Sequence, residues 1–236
     1  MIAQLRQSLR ALERPPGIDS DPGCQPLGIE AVDAVLGGGL ACGALHEISA
    51  AGEAHLAAAT GFALAISSRA ARKSTVWIAE DMALTESGAP YGPGLETFGL
   101  PPERLLTVGV ARTRDLLWAT EEALRCRAVA AVIGELRHGE IDMVAVRRLS
   151  LAAAGSGALA LLLRASPPND ASTAATRWIV SAAPNDSFAV QLTRNRRGPL
   201  GAWTLQWSDD DERFVLAAHA QPVAAPAADR PHRKIA

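Results

Sequence analysis

The loop "SAAGEAHLA", residues 49–57, joins an apolar strand over residues 44–49 to an Ala-rich helix over residues 54–72. A strand–loop–helix of this kind aims backbone N–H groups and the positive end of a helix dipole at an anion, which suits a phosphate. Phosphate chemistry there also needs a Lys on the β/γ oxygens and a Ser or Thr on the metal. This loop has one Gly and no Lys. Two carboxylates close strands further on, Glu80 in "STVWIAE" and Glu135 in "AVAAVIGE". A carboxylate at a strand end activates water, holds a metal, caps the next turn, or pairs with a neighbouring cation such as Arg137 or His138. Arg194, Arg196 and Arg197 crowd one hairpin turn, dense enough for a weak contact with nucleic-acid phosphates, and Arg137, Arg147 and Arg148 form a second, looser basic set. No His, Asp or Cys cluster has metal-ligand spacing, and no Ser-His-Asp constellation is present.

The bulk of the chain limits what these groups serve. Its 236 residues suffice for one large domain or two small ones, and a 48% hydrophobic content with few aromatics supports a real core. A formal charge of -2 and a pI near 6.2 exclude bulk attraction to nucleic acid while allowing a local basic patch. Cys24, Cys42 and Cys126 are scattered and odd in number, which fits a reducing cytoplasm rather than a disulfide frame or a zinc site. No apolar h-region opens the chain and no apolar run approaches ~18 residues, so neither a secretory signal nor a membrane span is expected.

Residues 2–14 read as an amphipathic helix, with Ile2, Leu5, Leu9 and Leu12 on one face and Arg6, Arg10 and Arg14 on another. A lone short helix is marginal in water, so it needs a surface on the same chain or on a partner. After "LGGGL" (residues 36–40), strands at 44–49, 74–80, 104–110, 128–135 and 158–164 alternate with helices at 54–72, near 95–99, at 113–126 and at 141–154. The continuous apolar runs "AVAAVIGE" and "ALALLLR" predict strands buried on both faces. The alternation predicts an α/β fold, a mainly parallel sheet flanked by helices. "TRWIVSA", "FAVQLTRN", "GAWTLQW" and "FVLAA" then follow without helical pattern and read as antiparallel strands added to one edge. The division is a helix over 1–16, a domain over 27–218, and an Ala/Pro-rich tail over 219–236 read as disordered.

The order of elements resembles a RecA-type P-loop ATPase core over roughly residues 27–207. "LGIEAVDAVLGGGLACGALHEIS", with Asp33 before the Gly turn, is similar to that family's approach to its phosphate loop. "VWIAEDMAL" resembles the second strand, where the resemblance makes Glu80 the water-activating carboxylate. It makes Tyr91 the ring that stacks on adenine. "LTRNRRGPLGAWTLQW" is similar to the family's late hairpin. Two Phe-x-x-Ala matches, at Phe62 and Phe214, are too short to carry an oligomerisation motif. More narrowly, "YGPGLETFGLPPERLL" with "DLLWATEEALRCRAVAAVIGEL" resembles the ImuA family of RecA-like, damage-inducible mutagenesis proteins, which is itself similar to the SulA division inhibitor.

Set against that family, the phosphate loop is degenerate. It comprises Ala50, Gly52, His55, Leu56 and Ala57, with His55 at the second Gly, Leu56 at the Lys and Ala57 at the Thr. Gly134 stands where the metal-holding Asp belongs. Lys and metal supply most of phosphoryl-transfer catalysis. Glu80 is therefore expected to be vestigial, no catalytic residue or metal site is expected, and ATP is not an expected cofactor. The resemblance implies an accessory of SOS-inducible, error-prone translesion synthesis in the cytoplasm, associated with the nucleoid through partners. Those partners are an ImuB-like Y-family polymerase homologue, RecA and an error-prone DnaE-type polymerase, with Leu5, Leu9 and Leu12 as contact candidates. The alternatives are an active RecA-like DNA-binding ATPase and a SulA-like division inhibitor.

Overall fold

A computed structural model describes residues 23–70, 74–137, 141–168 and 172–217. The expected N-terminal helix with Leu5, Leu9 and Leu12, and the expected tail, lie outside them. The elements are β1 (Cys24–Gln25), α1 (Glu30–Leu36), β2 (Leu40–Ala41), β3 (Leu45–Ala50), α2 (Leu56–Ser68), β4 (Ser74–Glu80), α3 (Asp81–Ser87) and α4 (Gly92–Thr97). They continue with β5 (Leu105–Val110), α5 (Thr113–Arg125), β6 (Val129–Leu136), α6 (Met143–Ser156), β7 (Leu159–Arg164), β8 (Thr176–Ala183), β9 (Ser187–Asn195), β10 (Gly201–Ser208) and β11 (Arg213–Leu216). No helix among the described residues is long and apolar enough to cross a membrane.

β3 to β11 form one nine-stranded sheet in the order β11-β10-β9-β8-β3-β7-β6-β4-β5. The expected parallel sheet is present, and antiparallel strands extend it beyond β8. β8 itself departs from expectation: it runs parallel to β3, with Ile48 beside Trp178, and antiparallel only to β9. A short connection normally signals an antiparallel neighbour. Here the chain leaves β7, passes across β3 and re-enters on its far side, so the direction is kept.

Two apolar layers sandwich the sheet. On one side α1 and α2 cover β3, β7 and β8, and the ring of Phe62 packs at a tilt, its centroid 5.4 Å from that of Phe214 and 5.8 Å from that of Trp178. Both Phe-x-x-Ala phenylalanines are therefore core. On the other side α5 and α6 cover Val76, Ile78, Val132 and Leu162. The Asp142 carboxylate accepts from Ala145 N at 2.7 Å to start α6, and Gly157 stops it at φ 78°.

α1 and α3 were not anticipated; each is a seven-residue helix, too short to show a period. α2 starts later and ends earlier than expected. Its first turn, Glu53–His55, is 3₁₀, and Ser67 and Ser68 donate back to Ala63 O and Ala65 O in its last turn. Such back-bonding competes with helix continuation.

"LGGGL" is a tight approach turn. Gly37, Gly38 and Gly39 have φ of 74°, 110° and 133°, and a Cβ on Gly39 would fall 2.4 Å from Gln25 O. The turn carries the chain from α1 into β2, which pairs antiparallel with β1. Gly39→Ala is expected to cost about 1–3 kcal/mol of stability, from both strain and contact. A urea midpoint matching wild type would contradict this.

Candidate functional site

The site to be tested is the β3–α2 loop and the strand ends around it. β3 carries the chain to Ala50, which is fully buried and part of the strand rather than the loop. The loop then closes on itself. Ala51 N–H donates to Val180 O at 2.9 Å, His55 N–H to Gly52 O at 2.9 Å, and Leu56 N–H to Glu53 O. The His55 ring fastens the loop to β8: Nδ1 accepts from Ala182 N–H at 3.2 Å, so the ring proton sits on Nε2. A phosphate cradle needs these N–H groups pointing into an open concavity. Instead those of His55 and Leu56 are spent within a single 3₁₀ turn and that of Ala51 on β8, and the turn exposes the Glu53 carboxylate. Leu56 packs against the α2-side core and Ala57 is exposed, so neither position offers a cation or a hydroxyl.

The carboxylates at the strand ends are occupied. Val76 and Ile78 pack on the α5 side, so alternation along β4 turns Glu80 the same way, off the loop's face of the sheet. Thr113, the first residue of α5, donates to Glu80 Oε1 at 2.6 Å. Gly134 also faces α5, where a Cβ would meet Thr120 Oγ1 at 3.0 Å. The carboxylate on the loop's side is Glu135, following Ala131 and Ile133 in that core. It is 5% exposed, accepts from Trp77 Nε1 at 3.0 Å, and pairs with Arg137 Nε at 2.7 Å. Arg137 also donates to Ser87 Oγ at 2.6 Å, pinning the end of α3. Arg137 thereby leaves the basic set expected for phosphate, and Arg148 is paired with Glu121. Tyr91 precedes α4 and is 75% exposed. Among the described residues no group of three His, Cys, Asp or Glu side chains could hold a metal.

The hairpin after β9 has a packing role beside any role in binding. Asn195 Nδ2 donates to Val35 O at 2.9 Å and to Pro199 O at 3.0 Å, and its Oδ1 accepts from Arg197 N. A Cβ on Gly198 would lie 2.5 Å from Val35 O. Asn and Gly are thus required to seat the hairpin on α1. Asp33 orders the entry to α1, accepting from Leu27 N at 2.8 Å and Gly28 N at 2.9 Å. Arg194 donates to Ala174 O at 3.0 Å, whereas Arg196 and Arg197 stand exposed.

Sequence reasoning assigned no role to the two buried ionisable residues of β3, His46 and Glu47, both fully shielded. Glu47 lies opposite Arg177 on β8, whose Nε donates to Glu47 Oε2 at 2.6 Å, and Ser172 donates to Oε1 at 2.6 Å. His46 Nε2–H donates to Ala41 O at 2.9 Å, so Nδ1 accepts from Thr176 Oγ1 at 2.8 Å. Thr176 in turn accepts from Trp178 Nε1 at 2.9 Å. Burial, reinforced by the charge of Arg197, holds the His46 pKa down at about 4 despite the bond to Ala41. The signal was available: "HE" interrupts an otherwise apolar strand.

No family model matches the chain. Among solved structures, a RadB recombinase superposes with a TM-score of 0.58 at 14% identity, covering 80% of this chain and 98% of that one. This likeness shows a RecA-like fold. Among curated proteins, ImuA of Caulobacter vibrioides (strain NA1000 / CB15N) is 30% identical over 196 residues, spanning 72% of this chain and 77% of that protein. ImuA of strain ATCC 19089 / CIP 103742 / CB 15 matches with the same figures. On this similarity, the chain belongs to the ImuA family.

Proposed function

We propose that this chain is an accessory factor of damage-inducible, error-prone translesion DNA synthesis, acting through protein contacts on a RecA-like scaffold that does not hydrolyse ATP. Family membership supports the pathway. The observation that carries the non-catalytic part is the β3–α2 loop, whose Ala51, His55 and Leu56 N–H groups are bonded within the protein and which lacks Lys and Thr. A Leu cannot neutralise phosphate charge and an Ala cannot ligate a metal, so the terms that dominate phosphoryl transfer are missing. The partners are an ImuB-like Y-family polymerase homologue, RecA and an error-prone DnaE-type polymerase. DNA is touched at most weakly, through Arg196 and Arg197. The chain works in the cytoplasm, on the nucleoid through its partners.

Deleting the gene is expected to lower damage-induced mutation to the level of a strain lacking the polymerase homologue, with no further loss in the double deletion. Complementation by Glu80→Ala should be full. Undiminished induced mutagenesis in the deletion strain would sink the reading.

A further inference from the structure

The outward face of the α5–α6 pair carries a surface that the fold does not use. Both helices run antiparallel to the strands they follow, so they lie parallel, side by side. Glu121 on α5 ties them together: it accepts from Arg125 at 2.6 Å and from Arg148 of α6. That bridge sets Glu121 level with Arg148. One turn earlier on each helix stand Trp118 and Val144, and one turn later Leu151 follows on α6. These three are 62%, 66% and 57% exposed. Val144, Arg147, Arg148 and Leu151 are spaced i, i+3, i+4, i+7, so they form one stripe opposite the buried Val146, Leu149 and Ala153.

Scattered exposed apolar side chains are ordinary, but a Trp level with aliphatic side chains of the neighbouring helix, with Arg beside them, has the composition of an interface core. Trp118 is the outlier among the tryptophans: Trp77, Trp178 and Trp207 are buried and Trp203 is half-buried. The charge around the patch is lopsided. Glu121 is shared by Arg125 and Arg148, Glu122 pairs with Arg125 as well, Arg114 shares Asp115 with Arg112, and Arg147 has no ion pair among the described residues, so five arginines face three carboxylates.

We propose that this face docks an acidic amphipathic helix of a protein partner. The partner's aliphatic side chains would lie between α5 and α6 over Trp118, Val144 and Leu151, and its carboxylates would meet Arg147 and Arg148. Apolar anchors at helical spacing match the helix-in-groove mode, and the surplus arginine charge sets the partner's sign. The proposal rests on the accessory reading above and gives that reading a contact surface.

The test uses the full-length chain and the purified Y-family polymerase homologue as probe. Trp118 is its own reporter: the difference in emission between wild type and Trp118→Phe should shift to the blue on addition of the homologue. Trp118→Ala and Arg147→Glu should each weaken binding about tenfold or more, the latter also flattening its salt dependence, with melting curves unchanged because both side chains are exposed. Cross-linking from Leu151→p-benzoylphenylalanine should recover an acidic helical segment of the homologue. Binding that survives both substitutions overturns the docking surface and leaves the accessory reading intact. Wild-type chain that does not bind the homologue overturns both. Cross-links from Leu151 to a second copy of this chain, or to a basic segment, also overturn the proposal.

Discussion

Glu47→Ala is expected to destabilise the fold by about 3–5 kcal/mol, because it leaves the Arg177 guanidinium shielded and without its carboxylate. Glu47 is fully buried, Arg177 is 15% exposed, and the two stand opposite each other across the parallel β3–β8 pair. Removing one partner of such a pair costs far more than the pair contributes, since the surviving charge keeps its desolvation penalty. Ser172 loses its acceptor in the same step, at the point where the chain returns from β7 to β8. Urea unfolding at neutral pH reads the loss. The double variant Glu47→Leu with Arg177→Met should recover a large part of it, because apolar side chains of similar volume carry no charge to desolvate. A single variant with a midpoint near wild type, or a double variant worse than the single, would contradict this account.

Acid should weaken the protein through His46. In the unfolded chain the imidazole takes up a proton near pH 6.5, whereas in the fold it stays neutral down to about pH 4. Between those values the unfolded state binds more protons, so stability rises with pH across the window and is lost as pH falls from 6.5 to 4. At about 1.4 kcal/mol per unit, the full loss is about 3 kcal/mol. The cause is structural: the ring is fully buried, Nε2–H is committed to Ala41 O, and a proton on Nδ1 would break the bond it accepts from Thr176 and place an unpaired charge in the core. Stability measured at pH 6.5 and pH 4.5 for wild type and His46→Gln checks it. The variant should lack the His46 share of the acid loss, and identical slopes in the two proteins would contradict the assignment.

Much of the architecture was legible because its signals were long or repeated. The apolar runs of β6 and β7 and the alternation of strand and helix suffice for a parallel sheet. The glycines of the 36–40 turn were readable as a bend, and their positive φ values bear that out. The direction of β8 was not readable, because nothing local distinguishes a chain that passes over β3 from one that turns back. The absence of a Lys from the 49–57 loop was legible from residue types, whereas placing Leu56 and Ala57 at the Lys and Thr positions took the resemblance to the RecA-type core. That its N–H groups close into a 3₁₀ turn, and that His55 staples it to Ala182, depends on tertiary contacts no spacing reveals. The same holds for Glu80, whose bond to Thr113 follows from strand alternation meeting the start of α5. Arg137, already legible two residues on as a cation for Glu135, is the one that occupies it, and that pairing takes it out of the looser basic set.

The central claim is that the scaffold works without hydrolysing ATP. Phosphate release by the purified full-length chain, measured alone, with single-stranded DNA and with the polymerase homologue, tests it most directly. The account predicts background release in all three conditions, identical for wild type and Glu80→Gln. Turnover above background in wild type that disappears in Glu80→Gln would contradict it.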